Sequence, residues 1–153
     1  MASKLAAAKI ASWSGVRTVI ADASRARVLV DACGGTPGVG TTFRPRTTRL
    51  GARRLWIAFA VGSLGRIQVD SGAREALERR RVSLLPAGVM SATGDFDVGD
   101  AVELEDDAGT VFAKGIVRQA AEMVRECAGR RTTELPDGVS HEVIHADDLV
   151  VLP

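Results

Sequence analysis

Residues 83–105 read SLLPAGVMSATGDFDVGDAVELE. Turn signals at Pro86-Ala87-Gly88, Gly94-Asp95 and Gly99-Asp100 cut this stretch into pieces too short for helices. Ser83–Leu85, Val89–Ser91 and Ala101–Glu105 are therefore expected to be strands. The last of them alternates apolar and acidic side chains, as a strand with one buried face does. Beyond it, Asp107-Ala108-Gly109 marks another turn, followed by strands at Val111–Ala113 and Gly115–Val117. A helix is expected over 120–128, stopped by Gly129, and the chain returns to strand at Glu142–Ile144 and Leu149–Leu152. Upstream, Leu55–Ala60 and Gly65–Asp70 read as strands. Ser71–Arg80 reads as a one-sided helix with Ala73, Ala76 and Leu77 turned inward. Many short strands separated by frequent turns imply a small barrel or sandwich. The fold class is thus mostly β with flanking helices, in a module spanning 53–153.

The preceding stretch has a different character. Ser3–Ser14 is alanine-rich and reads as a helix that Ser3 caps and Gly15 stops. Thr18–Ala21 is wholly apolar, as expected of a strand covered on both faces. A second short helix, Arg25–Ala32, follows. This is a helix–strand–helix piece of an α/β sheet over 1–35, and ~50 residues of this kind bury too little to fold alone. Residues 36–52, punctuated by Pro and Gly and carrying Arg44, Arg46 and Arg49, read as a solvated linker.

Composition places the chain among ordinary globular proteins, with 46% hydrophobic and 25% charged residues. The core must be built from aliphatic residues, because the chain has four Phe, two Trp and no Tyr. No apolar stretch approaches the ~18 residues of a membrane helix, and no membrane association is expected. The N-terminus lacks the apolar core of a signal peptide, so a cytoplasmic location is expected. Cys33 and Cys127 are too far apart and too few for a disulfide framework or a zinc site. The formal charge of +1 is unevenly spread. Residues 1–52 carry eight Lys/Arg against two Asp, whereas 53–153 carry twelve Lys/Arg against seventeen Asp/Glu.

Four motifs invite chemistry. Gly35-Thr-Pro-Gly-Val-Gly-Thr-Thr42 resembles a phosphate loop, but Thr41 stands where the motif needs lysine, and the stretch follows a helix rather than a strand. Asp95-Phe-Asp-Val-Gly-Asp100 suggests a calcium loop, but its glycine is fifth rather than sixth and its twelfth residue is Asp106 rather than Glu. It reads as a turn entering a strand. His141 and His145 have no companion ligand set, so no metal site is assigned. Arg79, Arg80 and Arg81 end a helix, where positive charge opposes the dipole's negative end. The same three are the candidates for an RNA contact.

Several blocks together resemble a known family. Met1-Ala-Ser-Lys4-Leu-Ala-Ala-Ala and Thr18-Val-Ile-Ala-Asp22 are similar to the end of the amino-acid kinase domain of bacterial glutamate 5-kinases. Val69-Asp-Ser-Gly-Ala73, Ser83-Leu-Leu-Pro-Ala-Gly-Val89, Gly94-Asp-Phe96, Gly99-Asp100 and Glu142-Val-Ile-His-Ala-Asp-Asp-Leu149 resemble the C-terminal PUA domain of the same enzymes. The resemblance implies a PUA-like pseudo-barrel behind a helix–strand–helix remnant of an α/β kinase domain. The family enzyme phosphorylates glutamate with ATP and magnesium, the first step of proline synthesis. On this chain Met1 and Lys4 fall on the family's nucleotide site. No catalytic residue is assigned, and no cofactor is expected for this chain alone. The remaining nucleotide and glutamate elements of the family precede the segment matched here, so the chain by itself is expected to be inactive, with its PUA domain serving regulation or assembly. Self-association, or a kinase-domain partner, is expected through residues 1–35.

Two departures from the family stand out. Arg81-Val82 replaces Gly-Lys ahead of Ser-Leu-Leu-Pro, which predicts strain at Arg81, where glycine would supply a left-handed stop. Arg118-Gln119 replaces Asn-Tyr. Both fall near the surface with which PUA domains of RNA-modifying enzymes grip RNA. RNA binding is accordingly expected to be weak and to come from residues 1–52.

Overall fold

Asp70 ends one strand and caps the helix after it, accepting a hydrogen bond from the Ala73 amide at 2.7 Å, and around this corner the β-rich part of the chain is assembled. The computed structural model describes every residue except Thr48, Asp137, Val139 and Pro153. The module limit placed at Pro153, and the linker position at Thr48, lie outside the described residues. The chain divides into two units, Met1–Leu55 and Trp56–Pro153.

The first unit contains α1 (Ala2–Trp13), β1 (Thr18–Ala21), α2 (Val28–Gly34) and β2 (Gly40–Phe43). β1 and β2 pair antiparallel. The lone strand expected here therefore has a neighbour, and that neighbour comes from the stretch read as linker. Arg44, Arg46 and Leu50 are also engaged. Ser12 Oγ donates to the Arg44 carbonyl at 2.7 Å, the amides of Arg46 and Leu50 donate to the carbonyls of Ser12 and Trp13, and the Arg46 guanidinium lies 4.0 Å from the Trp13 ring centroid. The physical reason is backbone accounting. The end of α1 leaves carbonyls without helical partners, and the arginine-rich stretch supplies the donors. β1 stays half-buried along its whole length.

The second unit holds α4 (Ser71–Arg79), α5 (Ala121–Cys127) and a five-stranded sheet made of β3 (Gly65–Val69), β4 (Val89–Gly94), β5 (Ala101–Glu105), β6 (Val111–Val117) and β7 (Ile144–Val151). α3 (Ala52–Phe59) spans the division between the units. The strand order is β4-β3-β5-β6-β7. β3 and β5 run parallel and the other neighbours antiparallel. A bridge between Leu84 and Ile144 brings the chain ahead of β4 back to β7, which closes the sheet into a pseudo-barrel. Ile67, Val69, Val102, Leu104, Val117, Val143 and Ile144 fill its interior. Mixed strands, flanking helices and the helix–strand–helix start agree with the expected class.

One element differs in type. Leu55–Ala60, expected as a strand, lies in helix α3 up to Phe59, with the Leu55 and Ala60 amides bonded to the carbonyls of Gly51 and Trp56. An unbroken apolar run does not distinguish a strand from a buried helical turn. β3 already has strands on both sides, so this segment satisfies its own backbone instead. Boundaries also shift: the helix expected at Arg25–Ala32 runs Val28–Gly34, and the strand expected at Val89–Ser91 reaches Gly94. Val111–Ala113 and Gly115–Val117 fuse through Lys114 into β6. Glu142–Ile144 and Leu149–Leu152 merge in β7. Ser83–Leu85 contributes only the Leu84 bridge.

Candidate functional site at the barrel seam

Ser83-Leu-Leu-Pro and Glu142-Val-Ile-His, far apart in sequence, meet where the barrel closes. The Leu84 amide donates to the Ile144 carbonyl and the Val143 amide to the Leu84 carbonyl, both at 2.8 Å. Ser83 Oγ donates to Glu142 Oε1 at 2.7 Å and accepts from the Ala146 amide at 3.1 Å. Arg118 reaches across the same place. Its Nη1 lies 3.3 Å from Glu142 and its Nη2 3.9 Å from Asp148, while its amide donates to the Val143 carbonyl. Beneath the seam, a Cβ on Gly115 would stand 2.7 Å from Ile144 Cγ2. Glycine at this position lets β7 approach.

Beside the seam, α4 ends in the basic cluster. Arg79 pairs with Glu75 at 2.7 Å, one turn back. Arg81 lies 3.4 Å from Asp147. Arg80 has no ion-pair partner among the described residues. Arg81 holds a φ of +28°, the left-handed stop that follows many helices and that glycine accepts without strain. The strain expected there is present in the backbone. Arg81→Gly relieves about 1–2 kcal/mol of it, against about 0.5–1 kcal/mol of extra unfolded-state entropy and a few tenths for an exposed ion pair. A net gain of about 0.5 kcal/mol is expected, read as a rise in the urea midpoint at unchanged m-value. A fall in the midpoint would refute it.

Between α4 and residues 82–88 lies a cavity of about 400 Å³. Its lining is mostly apolar, with Ala73, Leu77, Val82, Leu85 and Ala87 among its walls. A second cavity, of about 410 Å³, is polar and lies by Asp95, Asp97, Asp100, Glu122 and Arg125. Within it, Asp100 accepts from the Asp97 amide and Asp97 from the Val98 amide, so these carboxylates hold the turn that leads into β5.

Met1 and Lys4 lie on the first turn of α1, where the Lys4 amide donates to the Met1 carbonyl. Both are exposed, and neither lines either cavity. Two exposed side chains on one helical turn do not enclose a nucleotide. His141 is exposed, whereas His145 accepts from the Asp147 amide through Nδ1 at 3.2 Å. Trp13, in the segment 1–35 through which self-association is expected, is buried.

Residues 65–139, which carry β3 through α5, match the family model of the PUA domain. Residues 65–139 carry a PUA domain. Over nearly its whole length the chain is similar to the C-terminal portion of glutamate 5-kinases. It is 40% identical over 152 residues to the glutamate 5-kinase of Mycolicibacterium vanbaalenii, covering 99% of this chain and 40% of that enzyme. With the glutamate 5-kinase of Mycobacterium tuberculosis strain H37Rv it shares 42% identity over 153 residues, 99% of this chain and 39% of that one. The chain thus spans about two fifths of the length of the curated relatives it matches. A solved PUA domain from Aeropyrum pernix is similar at 22% identity with a TM-score of 0.42, over 69% of this chain and 51% of that one.

At the seam of the barrel, the structure brings Arg81, Arg118, Ser83, Glu142, Asp147 and Asp148 into one charged surface. Arg118 emerged from sequence only as a departure from the family, yet it is the cation that joins Glu142 to Asp148. Sequence reasoning does not single out Lys114, and it meets Asp106 only as the twelfth position of the rejected calcium loop. Lys114 carries no sequence signal beyond interrupting an apolar run, and Asp106 looks like any loop acid. Both are buried, and that burial is what marks them.

Proposed function

We propose that this PUA domain is a regulatory or assembly module of a glutamate 5-kinase, an ATP- and magnesium-dependent enzyme that phosphorylates the γ-carboxylate of L-glutamate, and that residues 1–153 alone are inactive. The observation that carries this reading is the similarity to glutamate 5-kinases along 99% of the chain, from α1 through β7. Phosphoryl transfer depends on nucleotide, metal and acceptor being held together. The resemblance assigns only Met1 and Lys4 of such a site to this chain. The charged seam and the apolar cavity are surfaces for contact rather than groups for chemistry.

RNA stands second as a partner. Arg79 and Arg81 already face Glu75 and Asp147, so phosphates would have to displace those carboxylates, and so few contacts would give weak binding with a shallow dependence on salt.

A hydroxamate assay with ATP, magnesium and glutamate on the 153-residue chain should read at the no-protein blank. Turnover above it overturns the inactivity. For the module's role, the M. vanbaalenii enzyme without its PUA domain is expected to keep turnover but change in oligomeric state or ligand response. A truncated enzyme unchanged in both respects ends the regulatory reading.

A further inference from the structure

Lys114 is a lysine on an almost wholly buried strand. From Phe112 to Val117 every residue of β6 is buried, and Lys114 itself is only 8% exposed. An ammonium is costly to remove from water unless it is paired or hydrogen-bonded. Directly across β5, its neighbour is Glu103, and across β3 the neighbour of Glu103 is Arg66. Cross-strand partners share a face of the sheet, so Arg66, Glu103 and Lys114 form a row of alternating charge on one face. Arg66 Nε donates to Glu103 Oε2 at 3.1 Å. The Lys114 ammonium turns away from that pair and donates to the carbonyl of Val61.

Val61 follows the last turn of α3. Its own amide and that of Ala60 both donate to the Trp56 carbonyl, so the helix ends here, where backbone carbonyls lack helical partners and a cation is favoured. Two residues on, Ser63 Oγ is buried with no hydrogen-bond partner, and the Leu64 amide donates to the Ala101 carbonyl at 2.9 Å. The segment between α3 and β3 is therefore fastened to the sheet at both ends, by Lys114 through Val61 and by Leu64 through Ala101.

We infer that Lys114 is a clamp by which the PUA barrel fixes the exit of α3. A methionine or leucine would fill the same volume without a buried charge. The ammonium's particular contribution is a donor aimed at the Val61 carbonyl, just past the end of the helix. The clamp rests on the regulatory reading for its purpose, because a module that modulates an enzyme needs a defined start to its own fold. Its geometry does not depend on that reading.

The test is amide hydrogen exchange on the full 153-residue chain, which involves no activity. In Lys114→Met the Ala60 and Val61 amides are expected to exchange about tenfold faster, the effect of about one hydrogen bond. The amides of Leu84 and Val117, held within the barrel, should be unchanged. Lys114→Arg keeps a donor and is expected to restore part of the protection. Unchanged exchange at Ala60 and Val61 overturns the clamp. So does equal acceleration throughout the barrel, or a Lys114→Met chain that does not fold, since either would make Lys114 a residue of general stability. A regulatory reading lost in the truncation experiment would leave this readout standing.

Discussion

Ile144→Ala is expected to destabilise the PUA barrel by about 3–4 kcal/mol, within the range of large-to-small changes at fully buried sites. Ile144 is completely buried, forms the closing bridge with Leu84 and lies over Gly115. A domain of this size has about 5–15 kcal/mol to lose, so this single change removes a large share. Urea unfolding followed by circular dichroism would measure it, with Met90→Ala as control. Met90 is 53% exposed and its truncation should stay within about 0.5 kcal/mol. Gly115→Ala offers a sharper check. Its new Cβ would meet Ile144 Cγ2 at 2.7 Å and the Asp148 carbonyl at 3.1 Å. Alone it should destabilise; combined with Ile144→Ala, which clears the nearer obstacle, the two losses should sum to less than their separate values. Strict additivity would mean that Ile144 and Gly115 do not share the seam as described.

Asp106→Ala should cost about 3 kcal/mol. The Asp106 carboxylate is buried and holds a whole turn. Oδ1 accepts from the amides of Ala108 and Thr110, at 3.0 and 2.8 Å, and Oδ2 accepts from Arg74 Nη1. Removing it leaves two turn amides without their acceptor and takes from Arg74 its buried partner, leaving it the Glu78 carboxylate, and breaking a buried pair by deleting one partner costs about 3–5 kcal/mol. Arg74 is partly exposed and can turn to water, which places the expectation at the lower end. Asp106→Asn keeps an acceptor for the turn and should lose roughly half as much. If both variants unfold at the wild-type midpoint, the carboxylate holds nothing together. If Asn loses as much as Ala, the Arg74 charge pair rather than the turn carries the stability.

Much of this was legible in the residues. The alternation of Ala101–Glu105 places Val102 and Leu104 in the core and leaves Glu103 and Glu105 partly exposed, as the structure has them. Arg81 occupies the strained conformation that replacing glycine implies, whereas Asp70, read as the end of a strand, caps the helix instead. α3 was not legible, because Leu55–Phe59 is apolar without a period and only its neighbours decide its type. The seam was half legible. Its two blocks could be singled out, but nothing in either names the other as its partner, since a bridge across some 60 residues of chain is a tertiary fact. The engagement of Arg44, Arg46 and Leu50 escaped for a related reason. Arginine in a Pro/Gly-rich stretch reads as solvated, and what holds it is the set of carbonyls at the end of α1. Of the candidate sites, the basic cluster could be located from sequence, but not the carboxylates opposite it, nor the buried ammonium of Lys114.

The closing bridge between Leu84 and Ile144 also sets an order of events in time. Neighbouring strands such as β5 and β6 can zip together soon after collapse, because little chain must be immobilised to pair them. The seam joins residues so distant that the loop between them is ordered only once most of the sheet exists, and contacts of that separation slow folding. Until then β4 and β7 each offer an open edge to other chains, the interval in which a folding barrel is most exposed to misassembly. In unfolding the sequence runs backwards. Few backbone hydrogen bonds cross at Leu84 and Ile144, so the ring should part there first, and the amides of Leu84 and Val143 would be the earliest in the barrel to register it.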